Sequence, residues 1–470
     1  MALYHFSVRH VSRGKGQMVV ASAAYISGQR IYDGYYNKIH DYTSKSGVVF
    51  TEILTPEYVP ERMTDREILW NEVEHVERVT APRGINLVVV KVETSEPELY
   101  GYGCATFTWR HKAVVTAVEE YLKPLFVGKN VQNIQEIWQS MMGSSYWRNS
   151  AVLNNAMSGV DEALWDIKGK LAGMPVYDLL GGKCREGIAL YRHADGKNWE
   201  EVRECIYGYV EEGYRYIRCH MGLYGGNLDS RQVLVKPENA PEGAYYNPRL
   251  YMQSVVELMD KVRTEFGWNL EIMHDVHERL SLADTLTFAR EMEAFKLFFL
   301  EDCVRPDQGE YLRYLREQTS VPLAIGELFT NQTEWRTIIQ NQWIDFIRVH
   351  LSDIGGITPA VRLAHFADVY QVRTAWHGPN DLSPIGMAAQ MHLDLAMPNF
   401  GIQEFSGFED AEREVFPGCP EVRNGYAYLS GAPGIGTGFD EKLAKKYPAN
   451  ENVNFGWLFS RLPDGTPVRP

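Results

Sequence analysis

At 470 residues the chain is long enough for two or three domains and a large core, and its 45% apolar and 12% aromatic content is that of an ordinary globular protein. The net charge of −14 argues against a nucleic-acid-binding body, and no apolar stretch reaches the roughly 18 residues of a membrane span. Six scattered cysteines without CxxC or metal-ligand spacing point to reduced thiols and a cytoplasmic protein. Arg9, Arg13 and Lys15 ahead of the small apolar run 18–28 imitate a signal peptide, but the run is short and holds Tyr25, so secretion is not expected.

Taken in chain order, 1–77 alternates like strands at ALYHFSV and VVFTEIL (48–54), with helical patterns near 16–29 and over 64–77. Residues 78–186 form an α+β unit, with strands NLVVVKVET and YGYGCATFT followed by helices at 113–125, 132–142 and 150–171. Over 187–405, eight short apolar runs read as strands: IALYRH (188–193), YRYIRCH (214–220), LEIMHD (270–275), KLFFLE (296–301), PLAIGE (322–327), DFIRVH (345–350), VRTAWH (372–377) and FGIQEF (400–405). Helical patterns at 199–212, 249–266, 282–293, 308–318, 331–341, 358–369 and 385–396 separate them, which predicts an α/β fold with a (β/α)8-type barrel. The loop 221–248 is out of proportion and opens at the rim where such barrels do chemistry. Residues 406–470 carry turn signals and no long helix, so they are expected to pack back on the α+β unit.

Asp275, Glu301 and Glu327 stand 26 residues apart, each at the end of its apolar run. That spacing is one strand, one helix and two loops, so the three acids belong to successive strand ends on one rim. Converging carboxylates repel unless a hard cation lies between them, and all-oxygen ligands suit Mg²⁺. His277, two residues beyond Asp275, shares its face and can act as a proton donor. Arg218 and Arg348 end the second and sixth strands, where they can neutralise an acid substrate or depress a neighbour's pKa. His274 is expected in the core and His350 as a satisfied rim histidine; Trp109 and Arg110 are expected to pack at the barrel mouth, and Lys442, Lys445 and Lys446 to form a solvated face.

The segments HDVHER (274–279), LED (300–302), GELF (326–329), IGGITPA (354–360), TAWHGPNDLSP (374–384), LDLAMPNFGIQEF (393–405) and VFPGCPE (415–421) resemble the mannonate dehydratase group of the enolase superfamily, in particular members called starvation-sensing protein. The resemblance covers about 77–470 and implies an enolase-type barrel with an α+β capping domain. It implies Mg²⁺ held by Asp275, Glu301 and Glu327, with Tyr224 as the base beside Arg218 and His277 as the acid that assists loss of hydroxide. Substrate contacts would come from His193, Arg348, His377, Asp381 and Glu404, and from a capping position that is Asn in well-known members and Thr108 here. Tyr245 and Tyr246 rival Tyr224 in the same loop.

Residues 1–77 resemble something else. MALYHFSVRHVSRGKG, SAAYISGQR, HDYTSKSGVVFTEILTP and DREILWNEVE look like the start of a plasmid mobilisation relaxase, a family in which a tyrosine, here Tyr25, attacks a DNA phosphate. That chemistry needs a metal held by a downstream histidine cluster, and the chain changes pattern near Glu77 before such a cluster appears. A fused reading frame fits better than a bifunctional enzyme.

The sequence therefore supports a Mg²⁺-dependent hydro-lyase that dehydrates a D-mannonate or D-gluconate type sugar acid to the 2-keto-3-deoxy acid through an enediolate. It would act as a cytoplasmic homo-oligomer with no nucleic-acid or membrane partner. A non-catalytic sugar-acid-binding homologue is the second reading, and the intact acid set with His277 and Arg218 weighs against it. A DNA relaxase is the third, and the missing histidine cluster weighs against that.

Overall fold

The computed structural model describes residues 85–222, 237–241, 244–449 and 460–468, together with the strands Val8–Arg13, Gly16–Ala21, Val49–Glu52, Trp70–Glu72 and Val76–Thr80. The first three strands form a small antiparallel sheet with Val8–Arg13 in the middle. Gly16–Ala21 is thus a strand where a helical pattern was expected, because it pairs as a hairpin with Val8–Arg13. Trp70–Glu72 likewise interrupts the helix expected over 64–77. It pairs with Thr94 and Glu93, while Val76–Thr80 pairs with Asn86–Val90 on the same side of the strand Asn86–Thr94. Partners in a sheet override local helical preference. This pairing runs across residue 77, the boundary expected from sequence.

The capping sheet is completed by Tyr100–Cys104 on the other side of Asn86–Thr94. The helix Ala151–Ala172 lies on it, started by Ser150, whose hydroxyl accepts from the Leu153 N–H, and ended by Gly173 at φ +65°. The approach is close: a Cβ at Gly103 would fall 2.0 Å from the Gly159 carbonyl oxygen. Three buried acids of this helix tether it. Asp161 accepts from Thr358 N at the start of a barrel helix, Glu162 from Cys104 N, and Asp166 from both Tyr102 N and Ile435 N.

All eight expected barrel strands form, at Ile188–Gly196, Tyr216–Met221, Glu271–Asp275, Phe299–Glu301, Leu323–Ile325, Phe346–Ile347, Arg373–Thr374 and Gln403–Glu404. Neighbours pair in parallel from the first strand to the seventh. The ring closes through Gln403–Glu404 on Leu190–Tyr191 and a Thr374–Phe400 bridge. Helices follow the first seven strands. After the eighth comes a short helix, Asp410–Val415, and then a hairpin whose strand Tyr426–Tyr428 runs antiparallel to Ile188–Ala189. The return segment also meets the capping unit, where the Tyr102 hydroxyl donates to Glu441 and Val176 N donates to the Gly434 carbonyl. No helix among the described residues is long and apolar enough to cross a membrane.

Candidate active site

A buried apolar layer made of Tyr191, Met273, Phe299, Ala324, Phe346, Ala375 and Ile402 fills the barrel. Side chains along a strand alternate, so the residue two positions further on faces the same way, one layer nearer the rim. Those residues are His193, Asp275, Glu301, Arg348, His377 and Glu404. Strand 5 breaks the rule, because two beyond Ala324 is Gly326, and the acid comes one residue later. Gly326 sits at φ +138°, a conformation that L side chains rarely adopt, and this turn lets Glu327 reach the cavity.

The cavity at this rim has a volume of about 930 Å³ and is lined by His193, Arg218, His277, Glu327, His377 and Glu404 from the barrel, with Thr108, Trp109 and Phe107 from the capping unit. Asp381 also lines it. The Thr108 hydroxyl is buried with no hydrogen-bond partner among the described residues. Tyr224 lies outside the described residues. Of its rivals, the Tyr245 hydroxyl donates to the Pro241 carbonyl, Tyr246 is fully buried, and neither lines the cavity.

Two arginines hold the floor. Arg218 Nη1 reaches Glu301 at 3.1 Å, Asp275 at 3.4 Å and Glu404 at 3.7 Å. Arg348 Nη2 lies 2.8 Å from both Glu301 and Glu404 and donates to the Tyr191 hydroxyl at 2.7 Å. His193 Nε2 is 2.7 Å from Glu404. His277 and His377 bracket Glu327, with their Nε2 atoms at 3.5 and 3.4 Å. The His277 backbone N–H donates to Asp275 Oδ1, while His277 and Glu278 adopt left-handed φ values of +51° and +62°. Such strain in non-glycine residues concentrates at functional sites.

The tightest acid cluster differs from the expected triad. Ligand oxygens of Asp275, Glu301 and Asp302 lie within 4.8 Å of one another, and Glu327 falls outside that group. Asp302, which sequence reading passed over, accepts from Gly326 N at 3.4 Å, so it is turned toward the strand carrying Glu327.

Of five buried carboxyls, Asp275, Glu301 and Glu404 share the two arginines, while Asp302 and Glu327 make no ion pair with either among the described residues, and burial keeps water from helping. Burial pushes Glu301 up to about 7, with Asp275 adding to it against the pull of Arg348 and Arg218. Burial and the charges of Asp275 and Glu301 lift Glu327 well above the usual carboxylate range. Asp302 rises for the same reasons. Burial also works against Glu404, but Arg348, His377 and His193 hold it well down. Burial depresses His277 to about 4 and holds His377 well below the usual imidazole range. The site is short of positive charge, and an oxygen-rich, cation-deficient cluster of this kind fits a hard divalent cation.

Register explains what sequence reading left out. Asp195 and His220 face each other across the first two strands. His220 Nδ1 is 3.3 Å from Asp195 Oδ1, and its Nε2 donates to the Asp275 carbonyl at 3.1 Å. Each lies two residues beyond a residue singled out from sequence, His193 and Arg218, so the same alternation points to both. His274 is in the core as expected, between the Cys219 carbonyl and the Tyr251 hydroxyl, and His350 Nδ1 accepts from Ser352 N.

Comparison with known proteins adds family to geometry. The family model for the enolase C-terminal domain-like fold matches residues 201–443, and that for the mandelate racemase / muconate lactonizing enzyme N-terminal domain matches 70–181. The MobA/MobL family model matches residues 17–85, the segment that reads as relaxase-like. A D-galactonate dehydratase family member of Enterocloster bolteae is 74% identical over 393 residues, covering 83% of this chain and 97% of that protein. A second, from Pantoea ananatis, is 52% identical over 406 residues, with 83% and 97% covered. The crystal structure of an enolase from Pantoea ananatis with bound D-gluconate and Mg superposes with a TM-score of 0.82 at 51% identity, covering 85% of this chain and 100% of that one. From residue 70 onward the relatives, the two domain matches and the strand-end acids agree: the chain belongs to the D-galactonate dehydratase family of the enolase superfamily.

Proposed function

We propose that the protein dehydrates a sugar acid of the D-gluconate or D-mannonate type to its 2-keto-3-deoxy acid, using Mg²⁺. The observation that carries this reading is the set of five buried carboxyls against two arginines, with His277 and His377 converging on Glu327 at the cavity wall. The D-gluconate and Mg bound by the Pantoea relative support it.

Asp275, Glu301 and Glu327 would hold the cation, with Asp302 beside them. Glu327 is preferred to Asp302 as the third ligand because it lines the cavity, whereas Asp302 is turned toward the Gly326 backbone. When bound, the cation supplies positive charge where negative charge develops as the proton leaves the carbon next to the substrate carboxylate.

The chain's own residues do the rest. Proton removal at C2 falls to Tyr224 beside Arg218, as the family resemblance implies. His277 donates a proton to the hydroxyl leaving C3. His193 and Glu404 line the wall that would orient the polyol, with Arg348 bracing Glu404 from beneath, and Phe107 and Trp109 help exclude water at the mouth. The C2–H and C3–O bonds break, a C2–C3 double bond forms and water departs. The enol then becomes the ketone with no net oxidation.

The test is a panel of D-gluconate, D-mannonate and D-galactonate with Mg²⁺, reading out 2-keto-3-deoxy product. Product from one or more of these supports the proposal. Tight binding without product would instead make the protein a sugar-acid-binding homologue.

A further inference from the structure

Asp195 is the one inward-facing residue of the first barrel strand that lines the cavity and that the proposed chemistry leaves without a task. Inward positions on this strand climb from Tyr191, buried under Arg348, through His193 on Glu404, to Asp195 at the rim. Two residues of strand advance about 7 Å. Asp195 therefore stands well above the reaction centre, on the first strand, across the barrel from the fifth strand that carries Glu327. It lines the cavity with 46% of its side-chain surface exposed.

It is also held in place. His220, almost wholly buried, bridges Asp195 Oδ1 to the carbonyl of Asp275. A carboxylate fixed by one oxygen and open to the cavity is an acceptor for hydroxyl donors and a repellent for a second anion. Arg192 reaches the same part of the wall, but its guanidinium lies over the rings of Tyr209 and Tyr214, at 4.8 and 5.6 Å from their centroids. It offers an approaching anion only a partly engaged charge.

We propose that Asp195 is a specificity-determining residue, accepting hydrogen bonds from the distal hydroxyls of a six-carbon monocarboxylic sugar acid and turning away sugar diacids. A sugar acid whose carboxylate lies by the acids of strands 3 to 5 extends its far end toward the first strand, where Asp195 waits. The inference rests on the sugar-acid reading of the site and deepens it.

The experiment compares wild type with Asp195→Asn in the presence of Mg²⁺, using D-gluconate, a four-carbon aldonic acid and the six-carbon diacid D-glucarate. Calorimetric affinity is measured alongside kcat/KM. A hydrogen bond to a charged acceptor that is lost corresponds to roughly a tenfold or greater effect. The preference for D-gluconate over the four-carbon acid should therefore fall at least tenfold in the variant, mainly through KM, and affinity for D-glucarate should rise.

Equal losses for both chain lengths would mean that Asp195 acts only through His220, and the proposal would be overturned. Unchanged selectivity with D-glucarate still excluded would overturn it too, while leaving the dehydratase reading intact. Wild type that binds D-gluconate without turning it over would sink the dehydratase reading, yet the affinity ratios would still decide the role of Asp195. Asp195→Ser provides the same comparison if Asn packs badly against His220.

Discussion

Gly326 shows how much of this site hangs on one backbone angle. Asp275 and Glu301 follow their buried partners Met273 and Phe299 by two residues, while Glu327 follows Ala324 by three, and the φ of +138° at Gly326 makes up the difference. A Cβ there would also sit 3.2 Å from Arg348 N. Gly326→Ala should lower stability by about 1–3 kcal/mol and weaken Mg²⁺ binding at least tenfold, as read by thermal unfolding and calorimetry. Normal metal affinity in that variant would remove Glu327 from the ligand set. His277 makes a different prediction, because its imidazole is assigned to proton transfer and not to the metal. His277→Asn should reduce kcat by a factor of about 100 or more with Mg²⁺ affinity nearly unchanged. Loss of the metal instead would make His277 a ligand. The regular acid spacing puts Asp275, Glu301 and Glu327 at successive strand ends, and the structure has them at the ends of the third and fourth strands and just past the fifth. Asp195 and His220 follow from the same alternation, two residues beyond His193 and Arg218, but their pairing lies in which strands stand opposite each other, and the turn of Asp302 toward Gly326 is likewise not encoded in a single strand's pattern.

Among the elements, the barrel's strands and helices were readable because each apolar run closes on a polar rim residue and each helix keeps its own period. The N-terminal segments Gly16–Ala21 and Trp70–Glu72 carry helical patterns yet form strands, since pairing partners decide them. Contacts between units were also invisible, and His392 is a clear case. It lies on the barrel helix Pro384–Ala396, its Nδ1 accepting from Tyr177 N and its Nε2 donating to the Ile435 carbonyl, which joins three parts of the chain. Burial lowers its pKa from 6.5 to about 4, with the Ile435 bond pulling the other way. A depressed folded-state pKa contributes stability above the unfolded value and loses it as pH falls. The stability advantage of wild type over His392→Gln should thus be constant above pH 6.5 and shrink toward pH 4 by roughly 3 kcal/mol. Chemical denaturation at a series of pH values checks this, and a pH-independent difference would mean that His392 is not buried neutral. The comparison with the variant matters because buried Asp161 and Glu162, raised to about 7 and 8, push the parent's own profile the opposite way at higher pH.

For the whole molecule, the chain joins a relaxase-like start to a dehydratase-family body, and the two overlap between residues 70 and 85. Trp70–Glu72 and Val76–Thr80 cover an edge of the capping sheet, so the sensible place to cut is before residue 70. Removing residues 1–69 should leave Mg²⁺ affinity and dehydration rate within about twofold. Removing 1–84 should destabilise the capping unit by uncovering that edge. Activity lost with the shorter deletion would make the N-terminal segment part of the enzyme. A buried cluster with more carboxyls than arginines calls for a divalent cation, and the proposed reaction needs it. The most direct test of this proposal is a titration of Mg²⁺ into chelator-stripped protein with D-gluconate or D-mannonate as substrate, following 2-keto-3-deoxy product and bound metal together. No product should form without metal, and activity should saturate as one Mg²⁺ binds per chain and be lost in Glu301→Gln. Product formed at full rate in the stripped protein, or one Mg²⁺ bound with no product from any sugar acid, would contradict the proposal.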